Sequence, residues 1–159
     1  MEIIKTKAYG EIQVDENSVI YMTREILGFD NRKQYYLIEM GDLPNFYWFQ
    51  SKEDPDLAFI IVNPRLFMPD YKLTIDEIDM SLLETENPED LIDFAIVNIN
   101  DDVTSMTMNL LGPIVINMKS LKAIQAISTN NSYGTKVPVF SHTEGEEKKE
   151  SEKTNDKKE

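Results

Sequence analysis

Hydrophobic and polar positions alternate along most of this chain with the period of two that half-buried strands show. Ile4, Thr6 and Ala8 interleave with Ile3, Lys5 and Lys7 until Tyr9-Gly10 breaks the run, and Ile12 and Val14 resume it. This predicts a β-hairpin about Gly10, because glycine supplies the positive φ of a tight turn. Residues 19–22 read as a third strand and 34–40 as a fourth, closed by a Gly41-Asp42-Leu43-Pro44 turn. Residues 45–51 carry Phe46, Tyr47, Trp48 and Phe49 in succession. A strand apolar on both faces belongs in the middle of a fold, with Trp48 as a buried anchor. Asp54-Pro55-Asp56 turns the chain into residues 57–62, and further strands are read at 95–99, 104–111, 114–117 and 123–127. Spacings of roughly 8–12 residues with turn signals between them predict an antiparallel sandwich or barrel.

Two segments leave that rhythm. Thr74-Ile75-Asp76-Glu77 has the spacing of a capping box, with Thr74 as N-cap. Ile75, Ile78 and Leu82 then share one face of a short helix, and Asp76, Glu77 and Asp79 face away. Asn87-Pro88-Glu89-Asp90 is a second helix start of one or two turns: a cap, proline at the first helical position, then acids. The expected fold is mainly β, with one or two short helices. Residues 144–159 hold seven acids, five lysines and no apolar side chain. Such a segment cannot bury enough surface to offset its ordering entropy, so a folded domain over 1–143 and a disordered tail over 144–159 are expected.

The charge is lopsided. Of 159 residues, 29 are Asp or Glu and 16 are Lys or Arg, a formal net charge of −13. Residues 1–143 contribute 22 acids and 11 bases, so −11 belongs to the expected domain. Direct nucleic-acid binding is disfavoured, since phosphates call for Lys and Arg. A basic partner suits this balance. The longest apolar run, residues 57–62, is far below the ~20 needed to span a bilayer, and no signal-peptide pattern opens the chain. A soluble protein of a reducing compartment, without membrane association, is the expectation.

Catalytic chemistry is hard to assemble. There is no cysteine and one histidine, His142, so a thiol nucleophile is excluded and a multi-histidine metal centre is hard to build, and the six glycines are scattered, so no glycine-rich phosphate loop for a cofactor is present. Carboxylate pairs occur at Asp54/Asp56, Asp76/Asp79 and Asp101/Asp102, and a two-carboxylate, carbohydrate-active enzyme is the remaining catalytic reading. The bland alternative is that these acids form turns and helix faces. The aromatic block 46–49 has no interleaved Lys or Arg, which favours core filling over base stacking.

Residues 63–71, Asn-Pro-Arg-Leu-Phe-Met-Pro-Asp-Tyr, are the most informative segment. Two prolines exclude a central strand and stiffen a loop, and stiff loops lose less entropy on binding. Arg65, Asp70 and Tyr71 are assigned to a partner-binding surface, with Phe67 as the core anchor holding the loop. The acidic turn at Asp54 and Asp56 is the further candidate.

The ordered strings Trp48-Phe49-Gln50-Ser51, Asp54-Pro55-Asp56-Leu57-Ala58-Phe59, Val62-Asn63-Pro64 and Pro69-Asp70-Tyr71 resemble the FliW family of flagellar assembly factors. Pro88-Glu89-Asp90 and residues 109–117 continue the likeness in the same order, so it runs from about Ile3 to Pro138. The resemblance implies a small antiparallel barrel-like β-fold and a non-enzymatic, cytoplasmic protein, expected to be monomeric when free. It implies two partners, flagellin and the RNA-binding translational repressor CsrA. Their binding excludes each other, so that export of flagellin frees the protein to sequester CsrA and relieve repression. A chaperone for another secreted subunit is the weaker alternative.

Overall fold

The computed structural model describes residues 1–139 apart from 42, 100, 101 and 131. His142, Asp101 and the expected tail over 144–159 lie outside the described residues.

Strands β1 (Glu2–Thr6) and β2 (Gly10–Val14) form the hairpin foreseen at Gly10, whose φ is +68°. Strands β3 (Ile20–Arg24), β4 (Gln34–Glu39), β5 (Phe46–Ser51), β6 (Ala58–Val62), β7 (Leu91–Asn98), β8 (Thr107–Asn117) and β9 (Lys122–Gln125) pair in chain order. β9 also pairs with β3, and this contact closes a seven-strand barrel. The expected all-antiparallel arrangement needs one correction, since β3 and β9 run parallel. An odd ring of alternating strands must contain one parallel pair. A short β10 (Val137–Pro138) adds to the edge of β8.

Barrels of about this strand number are filled by their own side chains. Ile20, Met22, Tyr35, Phe49, Ile61, Phe94, Ile96, Ile114 and Ile116 fill this one, with Ile26 among the buried residues. Tyr35 and Phe49 stack at 4.4 Å with planes 3° apart. Trp48, expected at the core, is only partly buried and belongs to none of the core clusters. Its neighbours Tyr47 and Phe49 point inward, so a period of two sends Trp48 out, opposite Ile38 and Ile60.

The outside of the barrel is apolar along β6 to β9 and is covered twice. Val62, Ala95, Val97, Met108 and Leu110 lie under residues 63–71 and Val139. Val115, Ile124 and Ala126 lie under Leu73, Ile75 and the helix α1 (Glu77–Leu82) with the following Leu83. The two strands expected at 104–111 and 114–117 are one, β8. It runs through the buried Gly112-Pro113, where its register with β7 breaks between Phe94 and Ile96. Proline lacks an N–H and is tolerated at such an irregularity. A side chain at Gly112 would meet the Gln125 amide nitrogen at 3.0 Å.

The cap of α1 also differs from expectation. Asp76, not Thr74, is the N-cap, its side chain accepting from the Asp79 N–H at 2.9 Å. Thr74 instead meets the Ser128 hydroxyl at 3.1 Å within extended chain. The helix starts two residues later and packs on a face other than the one expected: Ile78 is 67% exposed, whereas Asp79 is buried and paired with Arg24 at 2.7 Å. Side chains close the helix end, Thr23 donating to the Leu82 carbonyl and Asn117 to the Leu83 carbonyl. The second helix start is a single 3-10 turn, Pro88–Asp90, capped by Asn87, and β7 follows at once. Among the described residues no helix is long and apolar enough to cross a membrane.

Candidate protein-binding cleft

Local sequence shapes the loop after β6. The Asn63 side chain accepts from the Arg65 N–H at 3.1 Å, and Pro64 at the first position sets up a 3-10 turn over Pro64–Leu66. The turn sends Phe67 back against Phe46, ring centroids 6.1 Å apart, where it is half-buried as the loop's anchor. It sends Arg65 to β7. Both terminal guanidinium nitrogens donate to the Asp93 carboxylate, at 2.8 and 3.1 Å, and the group lies 5.4 Å from the centre of the Tyr71 ring. The bonds to Asp93 raise the Arg65 pKa further above its ordinary value. Asp93 is 8% exposed, so the pair links the loop to the barrel wall.

Tyr71 was expected on the surface and is not there. It is 2% exposed, donates its hydroxyl to the Leu110 carbonyl at 2.9 Å and packs 4.6 Å from the Tyr133 ring. Burial pushes its hydroxyl pKa up. The loop folds flat over the apolar outside of β8, which draws in the last large side chain. Asp70 is exposed, with no ion pair among the described residues.

The five residues singled out from sequence do not converge. Asp54 and Asp56 sit in the turn between β5 and β6, and Arg65 and Asp70 follow the far end of β6. Five residues of strand separate the two groups by roughly 17 Å. The acidic turn closes on itself: Asp54 accepts from the Asp56 N–H at 3.1 Å and pairs with Arg32 at 3.3 Å. It lines none of the clefts described below. Among the described residues no group of three His, Cys, Asp or Glu is gathered to hold a metal ion.

A cleft of about 350 Å³ opens beside Arg65, lined by Asn45, Tyr47, Asn63, Leu91, Ile92, Asp93 and Phe94. It exists because β6 stops short. Val62, its last residue, pairs with Ala95, whereas β7 begins at Leu91 and pairs on its other side with β8 from there onward. A neighbouring cleft of about 470 Å³, lined by Glu39, Leu43, Pro44 and Phe46, shares Asn45 and Tyr47 with it. Leu43 and Ile92 stand exposed in the walls of the two. Sequence reasoning missed Asp93, Ile92 and Tyr47, and its one available signal was the lone acid Asp93 inside the otherwise apolar run 91–97 of β7. It also missed an open cleft of about 730 Å³ beside α1, lined by Glu77, Met80, Ser81, Glu84, Thr85 and Glu86.

These features define a class: a small closed β-barrel, padded on two outer faces, with an open cleft where one wall strand ends early. Comparison with known proteins gives the family. The FliW protein family model matches residues 3–139, and the chain belongs to that family. It is 41% identical over 137 residues to the flagellar assembly factor FliW of Treponema denticola, covering 86% of this chain and 92% of that one. It is 34% identical over 147 residues to that of Syntrophomonas wolfei, covering 92% and 94%. The crystal structure of a flagellar assembly factor FliW superposes with a TM-score of 0.82 at 30% identity, over 89% of this chain and 99% of that chain.

Proposed function

We propose that this protein is a non-enzymatic, cytoplasmic flagellar assembly factor that binds flagellin and, alternately, the translational repressor CsrA. Capture of CsrA relieves repression of flagellin translation, and bound flagellin prevents that capture. The observation that carries this reading is the family match over residues 3–139, joined by relatives named as flagellar assembly factors. Charge supports it: a −11 balance over residues 1–143 suits capture of a basic RNA-binding protein and not of RNA itself. Arg65, in the wall of the open cleft, Asp70, exposed in the same loop, and Asp54 and Asp56, in the acidic turn, are the proposed contact residues. The free protein is proposed to be a monomer.

Calorimetry tests this directly. Flagellin and CsrA should each titrate to one site, and protein saturated with flagellin should give no CsrA binding isotherm. Unchanged CsrA affinity in the saturated complex overturns the exclusion, and binding of neither protein overturns the reading. Steering by the acidic body should lower the CsrA on-rate severalfold from low to high salt, because exposed charges are screened beyond ~8 Å at physiological ionic strength.

A further inference from the structure

We propose that the open edge of β7 at residues 92–94 is a strand-addition site that takes an extended segment of a basic partner protein. The proposal rests on the reading of the chain as a partner-binding protein and adds the mode of recognition. Leu91 to Phe94 are paired with β8 on one side, through Asn117, Ile116, Val115 and Ile114. On the other side β6 has already ended at Val62. The Leu91 N–H is satisfied by the Pro88 carbonyl, and main-chain groups alternate sides along a strand, so Ile92 and Phe94 aim theirs at β8 and the open side keeps the Asp93 N–H and C=O and the Leu91 C=O. No described hydrogen bond reaches these three groups from the β6 side. An exposed strand edge is a template for pairing, and proteins ordinarily cover, twist or charge it. Here the edge forms the floor of the 350 Å³ cleft instead.

The walls fit an added strand. Successive side chains of a strand point to opposite faces, so an incoming segment presents two rows. One row meets the barrel mouth, where Tyr47 and Phe94 pack edge to face at 5.3 Å and Ile92 is 42% exposed. That row is apolar. The other row meets the Arg65–Asp93 pair, which is neutral as a unit, so it is uncharged and polar. Asp93 takes two of the five guanidinium N–H donors and leaves the others for a carbonyl or hydroxyl. Exposed carboxylates flank the slot: Glu39 in the adjoining cleft and Glu89 two residues before Leu91. Basic residues at the two ends of the segment complement them, as they do the −11 balance over residues 1–143. Three residues of edge span roughly 10 Å, room for the centre of a short strand and not for a helix about 10 Å or more across.

The test uses the full chain labelled with nitrogen-15 and a synthetic peptide, Lys-Thr-Val-Thr-Val-Thr-Lys. Saturable amide shifts should appear at residues 91–94 and at Arg65 and Tyr47, and the Asp54–Asp56 turn should stay unmoved. N-methylation of the central threonine and both valines, which removes the main-chain donors that an antiparallel or a parallel segment would aim at Asp93 and keeps the side chains, should weaken binding at least tenfold. Glutamate in place of both lysines should do likewise. Ile92→Lys, at an exposed position, should abolish the shifts while the protein keeps its melting temperature. Equal binding of the methylated peptide overturns main-chain pairing, and absence of shifts at 91–94 up to millimolar peptide overturns the site. Peptide binding at 91–94 by a protein that captures neither flagellin nor CsrA upholds the site and overturns those two partners.

Discussion

The two ends of the β5–β6 hairpin are built on opposite principles. At the acidic end, Asp54 closes its own turn and Arg32 neutralises it. At the other end, β6 stops at Val62, the chain swings outward over β8, and an edge of β7 is left beside an open cleft. The acidic end has more charge, and the open end has more unspent bonding capacity. Carboxylates that satisfy their own turn have little left for a partner, whereas a strand edge with half its neighbours missing keeps directional donors and acceptors.

Mutations sharpen or break this contrast. The largest effect is expected at Tyr71. Tyr71→Ala should cost about 3–5 kcal/mol by removing a buried ring and its hydroxyl bond to Leu110, read as a lowered denaturant midpoint. Tyr71→Phe, which keeps the ring, should lose about 0.5–1.5 kcal/mol. An unchanged midpoint for Tyr71→Ala would place this side chain on the surface after all.

Arg65→Ala comes next. Breaking a buried pair costs ~3–5 kcal/mol, and solvent screening of a side chain that is 37% exposed lowers this to about 1–3. Restoration by Asp93→Asn in the same chain would show that the stranded carboxylate is the cause. Asp54→Ala should cost roughly 0.5–1.5 kcal/mol for its turn bond, and exposed Asp56→Ala less than about 0.5 kcal/mol. A greater loss at Asp54 than at Arg65 would break the comparison between the two ends.

The smallest effect is alkaline. Burial, helped by its hydrogen bond to Glu2, raises the Tyr36 pKa to about 12. A tyrosine in the unfolded chain ionises near ~10, so the unfolded state loses its proton first. Stability from this group is present below pH ~10 and is lost as pH climbs toward 12. Tyr36→Phe should flatten part of that slope in denaturant midpoints measured across the range, and an unaltered slope would contradict the assignment.

Legibility followed the range of the interactions. The Gly10 hairpin, the Asn87 cap and the turns at Asp54-Pro55-Asp56 and Gly41 depend on neighbours within a few residues, and all were readable. The cap of α1 was misplaced by two residues because Thr74 and Asp76 are both good caps locally. What separates them is distant, the Ser128 hydroxyl that holds Thr74 in extended chain. The candidate residues were chosen by chemical type, and type alone did not show that Asp93 lies 28 positions from Arg65 in the chain and at 2.8 Å in space.

The sequence by itself determined the strand-rich class, the family and the acidity of the folded body, because alternation, ordered motifs and composition are properties of the chain. Tertiary structure decided the rest. It chose a closed barrel over a sandwich through the parallel β3–β9 contact, which joins residues about 100 apart. It buried Tyr71 and sent Trp48 outward, because a period of two says that neighbours face opposite ways and not which way is in. It opened the cleft by ending β6 four residues before β7 runs out of partners, a mismatch of lengths that exists only once the two strands are side by side.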